Sequence, residues 1–179
     1  MICDNKYIMW LSSLNNIKLS TRRKLLDYFG SGQELWLADS KDLKYYEKEI
    51  NKLLDDSIKA HKISDVEVGS FLSSGVDSSY IVAKANVDKT FTVGWDNTKY
   101  SEIDYAKDLT DKLNIKNISE KISKEEYMNT LSEVYYHMDE PTADGCAIAV
   151  YFLSRLASKD VKVVLSGEGA DEIFGGYPW

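Results

Sequence analysis

Ser73-Ser74-Gly75-Val76-Asp77-Ser78-Ser79 decides how the rest of the chain is read. It follows the apolar run Val66 to Leu72, which has the composition of a buried strand, and it leads into Ser78 to Ala85, whose apolar spacing is helical. A small-residue turn between a strand and a helix leaves backbone N–H groups without partners at the helix N-terminus. Together with the positive end of the helix dipole they make an anion site. Serine and glycine let the anion come close. Asp77 would repel a phosphate unless a cation stands between them, so the pairing implies Mg²⁺, which typically bridges one or two carboxylates and phosphate oxygens.

A second block, Val161 to Tyr177, has the same grammar. Val161-Lys162-Val163-Val164-Leu165 reads as a short buried strand, and Ser166-Gly167-Glu168-Gly169-Ala170-Asp171-Glu172-Ile173-Phe174-Gly175-Gly176 follows as a glycine-rich loop. Glu168, Asp171 and Glu172 stand within five residues with no basic neighbour. Carboxylates so placed repel one another unless they are solvated or share a cation.

Between the blocks the pattern alternates. Leu43, Tyr46, Ile50, Leu53, Leu54 and Ile58 predict an amphipathic helix of about five turns lying on a sheet. Thr90 to Trp95 predicts a strand, Glu102 to Leu113 a helix, and Ile115 to Ile118 a short third strand. Ser123-Lys124-Glu125-Glu126 is a capping box for the next helix, and Ala147 to Ser158 makes another before the last strand. Strands alternating with helices predict an α/β fold with a doubly wound parallel sheet, and ligands in such folds bind outside the carboxyl ends of the strands. Both blocks, rich in serine and glycine, fall at such ends.

The first block lacks the Gly-x-x-x-x-Gly-Lys-Ser/Thr pattern of kinase-type phosphate loops. It resembles instead the Ser-Gly-Gly-x-Asp-Ser loop of ATP pyrophosphatases, with Ser74 where that pattern has its first glycine. The two blocks, joined by Phe91-Thr92-Val93-Gly94-Trp95 and Asp139-Glu140-Pro141-Thr142-Ala143-Asp144, are similar in order and spacing to the synthetase domain of the asparagine synthetase family. The likeness covers roughly residues 45 to 179. It implies a sheet of the ATP-pyrophosphatase (adenine nucleotide alpha hydrolase-like) type and a substrate set of ATP, aspartate and ammonia. By resemblance, Ser73, Ser74, Gly75, Asp77 and Ser78 hold the pyrophosphate of ATP. Leu72, Val93, Ser166 and Gly167 line the adenosine pocket, and Asp77 and Asp171 bind Mg²⁺. Glu168 matches a family acid beside the adenylate and the incoming amine, as general base or as electrostatic positioner. The implied reaction is amidation of aspartate through a β-aspartyl-adenylate, with release of AMP and pyrophosphate. Other carboxylate-activating ligases, of β-lactam synthetase or peptide cyclase type, share the loop, and a non-catalytic nucleotide-binding or interaction module is a third reading.

Family members draw ammonia from a glutaminase domain whose cysteine nucleophile follows the initiator Met. Here Cys3 is out of that place, so no glutaminase domain is expected, and residues 43–179 read as a synthetase core cut short at its C-terminus. Residues 1–42 are read as a separate small helical domain. They carry six Lys and Arg against five Asp and Glu, leaving −8 of the net −7 charge to the rest. Trp10-Leu11-Ser12-Ser13-Leu14, Arg22 to Ser31 and Glu34-Leu35-Trp36 resemble the N-terminal helical domain of the DNA-processing protein A family. Asn15-Asn16-Ile17-Lys18 replaces a glycine hairpin, so nucleic-acid contact is not expected.

Composition supports a globular chain of 179 residues, with 44% hydrophobic and 28% charged residues. The acidic balance argues against generic nucleic-acid binding. No run has membrane-spanning length, and a cytoplasmic setting is expected. Cys3 and Cys146 are too far apart, and too isolated from histidines, to suggest a disulfide frame or zinc. Cys146 reads as a small buried residue, Trp95 as core, and His61 and His137 as helix-end residues.

Overall fold

The computed structural model describes residues 23–24, 27, 30–31, 33–34, 40–96, 102–140 and 145–174. The expected N-terminal helical domain lies almost wholly outside the described residues. Two compact units are present, one of Asp55–Glu168 and one drawn from Met1–Leu54 and Gly169–Trp179.

Helix α1 (Ser40–His61) precedes an alternating series: β1 (Val68–Phe71), α2 (Val76–Ala85), β2 (Lys89–Trp95), α3 (Ile103–Leu113), β3 (Lys116–Ile122), α4 (Lys124–His137), α5 (Cys146–Ala157) and β4 (Val163–Leu165). A five-residue helix, α6 (Ala170–Phe174), follows in the other unit. The four strands form one sheet in the order β3-β2-β1-β4, every pair parallel. From β1 the chain winds outward through β2 to β3, then crosses back to place β4 on the free side of β1. The strand order therefore reverses between β1 and β4, where ligands of such sheets bind.

Side chains alternate across the sheet, and each face finds helices. Phe91, Val93 and Ile122 pack with Val134 of α4 and with Ile148, Phe152 and Leu156 of α5, and Phe71, Trp95 and Ile118 join the edge of this core. On the opposite face Leu72 packs with Val82 of α2 and Ala106 of α3. Ile58, at the end of α1, packs there with Ala85 and Val87. The sheet is doubly wound, as the alternation of strands and helices implies.

Three local expectations need correction. The apolar stripe of α1 is not buried along its length: Ile58 is buried and Leu54 half-buried, whereas Ile50 and Leu53 are exposed. Strand β3 is seven residues long rather than four. Its extension, Ser119-Glu120-Lys121-Ile122, looks polar in sequence because β3 is an edge strand, yet it buries Ile122 and draws Glu120 into an ion pair. Cys146 is exposed, not buried, because it opens α5 on the turn preceding the packed face.

The capping reading holds at α4, where Ser123 Oγ accepts the Glu126 N–H at 3.1 Å. The Glu126 carboxylate turns away to Arg155 at 2.8 Å. Helices α2 and α3 both end in a left-handed asparagine, Asn86 (φ 47°) and Asn114 (φ 55°), which reverses the chain into the next strand. His61 and His137 are the last residues of α1 and α4, and His61 Nδ1 lies 2.8 Å from the Ser57 carbonyl. Asp139 lies just beyond α4 in the left-handed region (φ 56°).

Candidate nucleotide site

The turn after β1 is built by its own serines. Thr92 Oγ1, buried on β2, donates to the Leu72 carbonyl at 2.9 Å, and the Leu72 N–H donates to the Phe91 carbonyl at 2.9 Å, so the strand is held up to the residue before the turn. Ser73 Oγ and Ser78 Oγ then stand 2.8 Å apart and close the turn across its mouth. The Ser73 N–H donates to Ser78 Oγ and the Gly75 N–H to Ser73 Oγ, while Ser79 Oγ donates to the Gly75 carbonyl at 2.7 Å. Gly75 is the N-cap of α2 in extended conformation and has no side chain to cap the helix. The first-turn amides of α2 thus receive no hydrogen bond from the cap residue and keep their capacity for an anion.

Helix α2 begins at Val76, two residues earlier than its apolar pattern suggests, which puts Asp77 in the first turn. There a carboxylate complements the helix dipole, so part of its presence is structural. Asp77 is exposed, and among the described residues no basic side chain pairs with it. Its charge is thus available to a hard cation.

The second wall comes from the end of β4. A Cβ on Gly167 would stand 2.8 Å from the Ser78 nitrogen and 3.1 Å from the Asp77 carbonyl carbon. The loop after β4 thus lies directly on the N-terminus of α2, at the reversal of strand order, and only glycine fits that approach. Ser166 Oγ accepts the Glu168 N–H at 3.2 Å, which bends the loop beyond the strand, and Glu168 is exposed.

The structure therefore brings Ser73, Ser74, Gly75, Asp77, Ser78 and Gly167 together at one place, with Ser166 and Glu168 on the same short loop. Leu72 and Val93 are different: both side chains are buried in the sheet cores, so only their backbone is available to a ligand. Asp171 opens α6 in the other compact unit. Among the described residues no three His, Cys, Asp or Glu side chains gather as a metal cage. Sequence reasoning missed Glu102, whose Oε1 accepts the Ser74 hydroxyl at 2.9 Å. No motif signals it, because the contact spans 28 residues.

A parallel doubly wound sheet with a serine-glycine turn at its switch point defines an α/β domain of the open-sheet class, whose ligands bind outside the carboxyl ends of the strands. The sequence pattern of the family described as Asparagine synthase covers residues 49–179, and the chain belongs to that family. It is 52% identical over 134 residues to asparagine synthetase [glutamine-hydrolyzing] 1 of Bacillus subtilis (strain 168), an alignment spanning 73% of this chain and 21% of that protein. It is 28% identical over 184 residues to asparagine synthetase B [glutamine-hydrolyzing] of Escherichia coli (strain K12), spanning 83% of this chain and 33% of the relative. The chain thus spans about a fifth to a third of the length of these curated relatives. Among solved structures, NMN synthetase from Francisella tularensis aligns with a TM-score of 0.47 at 22% identity, over 75% of this chain and 58% of that one.

Proposed function

We propose that this chain is the nucleotide-binding core of an AMP-forming ligase that amidates aspartate, with a sheet of the ATP-pyrophosphatase type. The observation that carries the reading is the seat of Gly167 on the Ser78 nitrogen, which joins the two family motifs into one cleft at the switch point. Ser73, Ser74, Gly75 and Ser78, with the first-turn amides of α2, hold the pyrophosphate of ATP. The adenosine lies against the strand ends, touching Ser166, Gly167 and the backbone of Leu72 and Val93. The aspartate side-chain carboxylate attacks the α-phosphate, the bond to the β-phosphate oxygen breaks, and pyrophosphate leaves. Ammonia then adds to the β-aspartyl-adenylate carbonyl, AMP departs, and the amine loses a proton to give the amide. Glu168 stands beside that step, as base or as an electrostatic anchor for the ammonium that forms.

An exposed Asp77 beside a phosphate turn fits a hard cation, and one or two carboxylates with phosphate oxygens are its usual company. Asp77 would hold Mg²⁺, which would supply charge neutralisation for the departing pyrophosphate, and the family resemblance names Asp171 as a further ligand. Such a reaction belongs in the cytoplasm, where ATP and aspartate are plentiful, and no helix among the described residues is long and apolar enough to cross a membrane.

The test is calorimetric titration with MgATP, alongside pyrophosphate release measured over a panel of carboxylic acids with ammonia. MgATP binding weakened by both Asp77→Asn and Asp171→Asn is expected. Unchanged affinity in both variants removes the metal-ligand assignment, and release stimulated by a carboxylate other than aspartate reassigns the substrate.

A further inference from the structure

Every serine of the turn except one spends its hydroxyl within the turn. Ser73, Ser78 and Ser79 bond one another and Gly75, and together they fix the shape of the turn but not its position over the sheet. Ser74 Oγ instead leaves the turn and donates to Glu102 Oε1 at 2.9 Å.

Glu102 is placed to act as a fixed post. It is the N-cap residue of α3, its backbone carbonyl accepts the Ala106 N–H at 3.0 Å, and Ala106 and Thr110 of the same helix are buried. Its side chain makes no capping hydrogen bond to α3, so the carboxylate does not serve its own helix. Leu72 before the turn, Val82 on the helix after it and Ala106 of α3 share one core cluster. The Ser74–Glu102 bond joins the top of that triangle, whose base is already packed. A carboxylate near a phosphate site is electrostatically unfavourable for the ligand, so its presence calls for a compensating role.

We infer that Glu102 is a positioning residue for the phosphate-binding turn: by accepting the Ser74 hydroxyl it fixes the leading edge of the turn in the form that receives the nucleotide. This rests on the nucleotide reading above. Glu102 acts through Ser74 and as a hydrogen-bond acceptor, so an amide at this position retains most of the effect.

The test compares the chain with Glu102→Ala, Glu102→Gln, Ser74→Gly and the double variant Ser74→Gly/Glu102→Ala. MgATP affinity is measured by calorimetry, and amide hydrogen exchange across residues 73–79 is measured in the ligand-free protein. Loss of one such hydrogen bond at an exposed site predicts MgATP binding weaker by about two- to fivefold in Glu102→Ala. Glu102→Gln stays near the parent. The double variant matches Ser74→Gly, because a tie already broken on one side cannot be broken again on the other. Exchange in the turn accelerates in Glu102→Ala, with no further acceleration in the double variant over Ser74→Gly. Additive losses, tighter binding in Glu102→Ala, or a Glu102→Gln as weak as the alanine variant each overturn the inference. If the parent chain does not bind MgATP, the nucleotide reading fails, and the exchange measurements alone then uphold or reject the tie.

Discussion

The two faces of the sheet are built from different chemistry. The face under α4 and α5 is apolar and aromatic: Phe91 and Phe152 are fully buried, and Trp95 meets Tyr127 and Phe152 edge-on at 5.4 and 6.5 Å. The face under α2 and α3 carries Ser70, Thr90 and Thr92, all fully buried and all hydrogen-bonded, with Asn117 Oδ1 accepting from both threonines. Apolar packing is non-directional, whereas each hydroxyl fixes one particular atom. Ser70 fixes the Leu165 carbonyl at the end of β4 and Thr92 fixes the Leu72 carbonyl at the end of β1, the two strand ends that form the cleft. The first face holds the fold and the second aims the site.

The apolar face has its own polar exception. Arg155 Nη2 of α5 donates to Glu120 Oε1 of β3 and to Glu126 Oε1 of α4, each at 2.8 Å, and its guanidinium lies over Phe152. The hydrogen bond to Glu126, with the charge of Glu120, holds the Arg155 pKa above its ordinary value against the cost of burial. Arg155 Nε and Glu120 Oε2 find no hydrogen-bond partner among the described residues. This half-buried triad ties three elements together, but the cost of drawing its charges partly out of water makes it weak grounds for net stability.

The largest effect that separates the faces is expected from Phe152→Ala. Truncating a fully buried aromatic costs about 3–5 kcal/mol, read from denaturant unfolding, while MgATP affinity of the remaining folded protein stays at the parent value. A parallel collapse of affinity would show that the faces are not independent. Gly167→Ala should come next, with a smaller loss of stability and a larger loss of binding. The added methyl cannot be accommodated 2.8 Å from a backbone nitrogen, so the β4 loop must back away, at about 1–3 kcal/mol and with MgATP affinity down by about tenfold or more. Wild-type affinity in this variant would separate the two walls of the cleft.

Thr92→Val keeps the volume of the side chain and removes the hydroxyl that the Leu72 carbonyl and Asn117 use. It should lower unfolding stability by about 1 kcal/mol and weaken MgATP binding severalfold. Stability lost without any change in affinity would refute the aiming role of this face. Lys112→Ala breaks only an exposed pair with Asp108, and a shift within about 0.5 kcal/mol, with affinity unaltered, sets the floor against which the other three are judged.

Much of this division was legible in the sequence. The β-branched and aromatic runs of β1 and β2 and the serine-glycine turn identify themselves, because local propensity and burial agree there. The extension of β3 was not legible, since Glu120 is acidic in sequence but neutralised by an arginine 35 residues away. The exposed face of α1 escaped for the converse reason: periodicity says which residues share a stripe, not whether anything covers it. In the site, the small residues announced the turn, but Glu102 has no local signature, and the burial of the Val93 side chain depends on helices far along the chain.

The placement of β4 beside β1 also bears on how the chain acquires its structure. Strands β1, β2 and β3 pair with successive neighbours, so three-quarters of the sheet can close over short loops as the chain is made. The bond from Ser70 to Leu165 spans 95 residues. Contacts of that separation are expected late, because the entropy of closing so long a loop must be met before they form. The phosphate turn can fold early, yet the cleft is finished only when Gly167 arrives on the start of α2. On the proposed function, competence to bind nucleotide is then the last property this unit gains in folding, so MgATP should slow unfolding and leave the refolding rate unchanged.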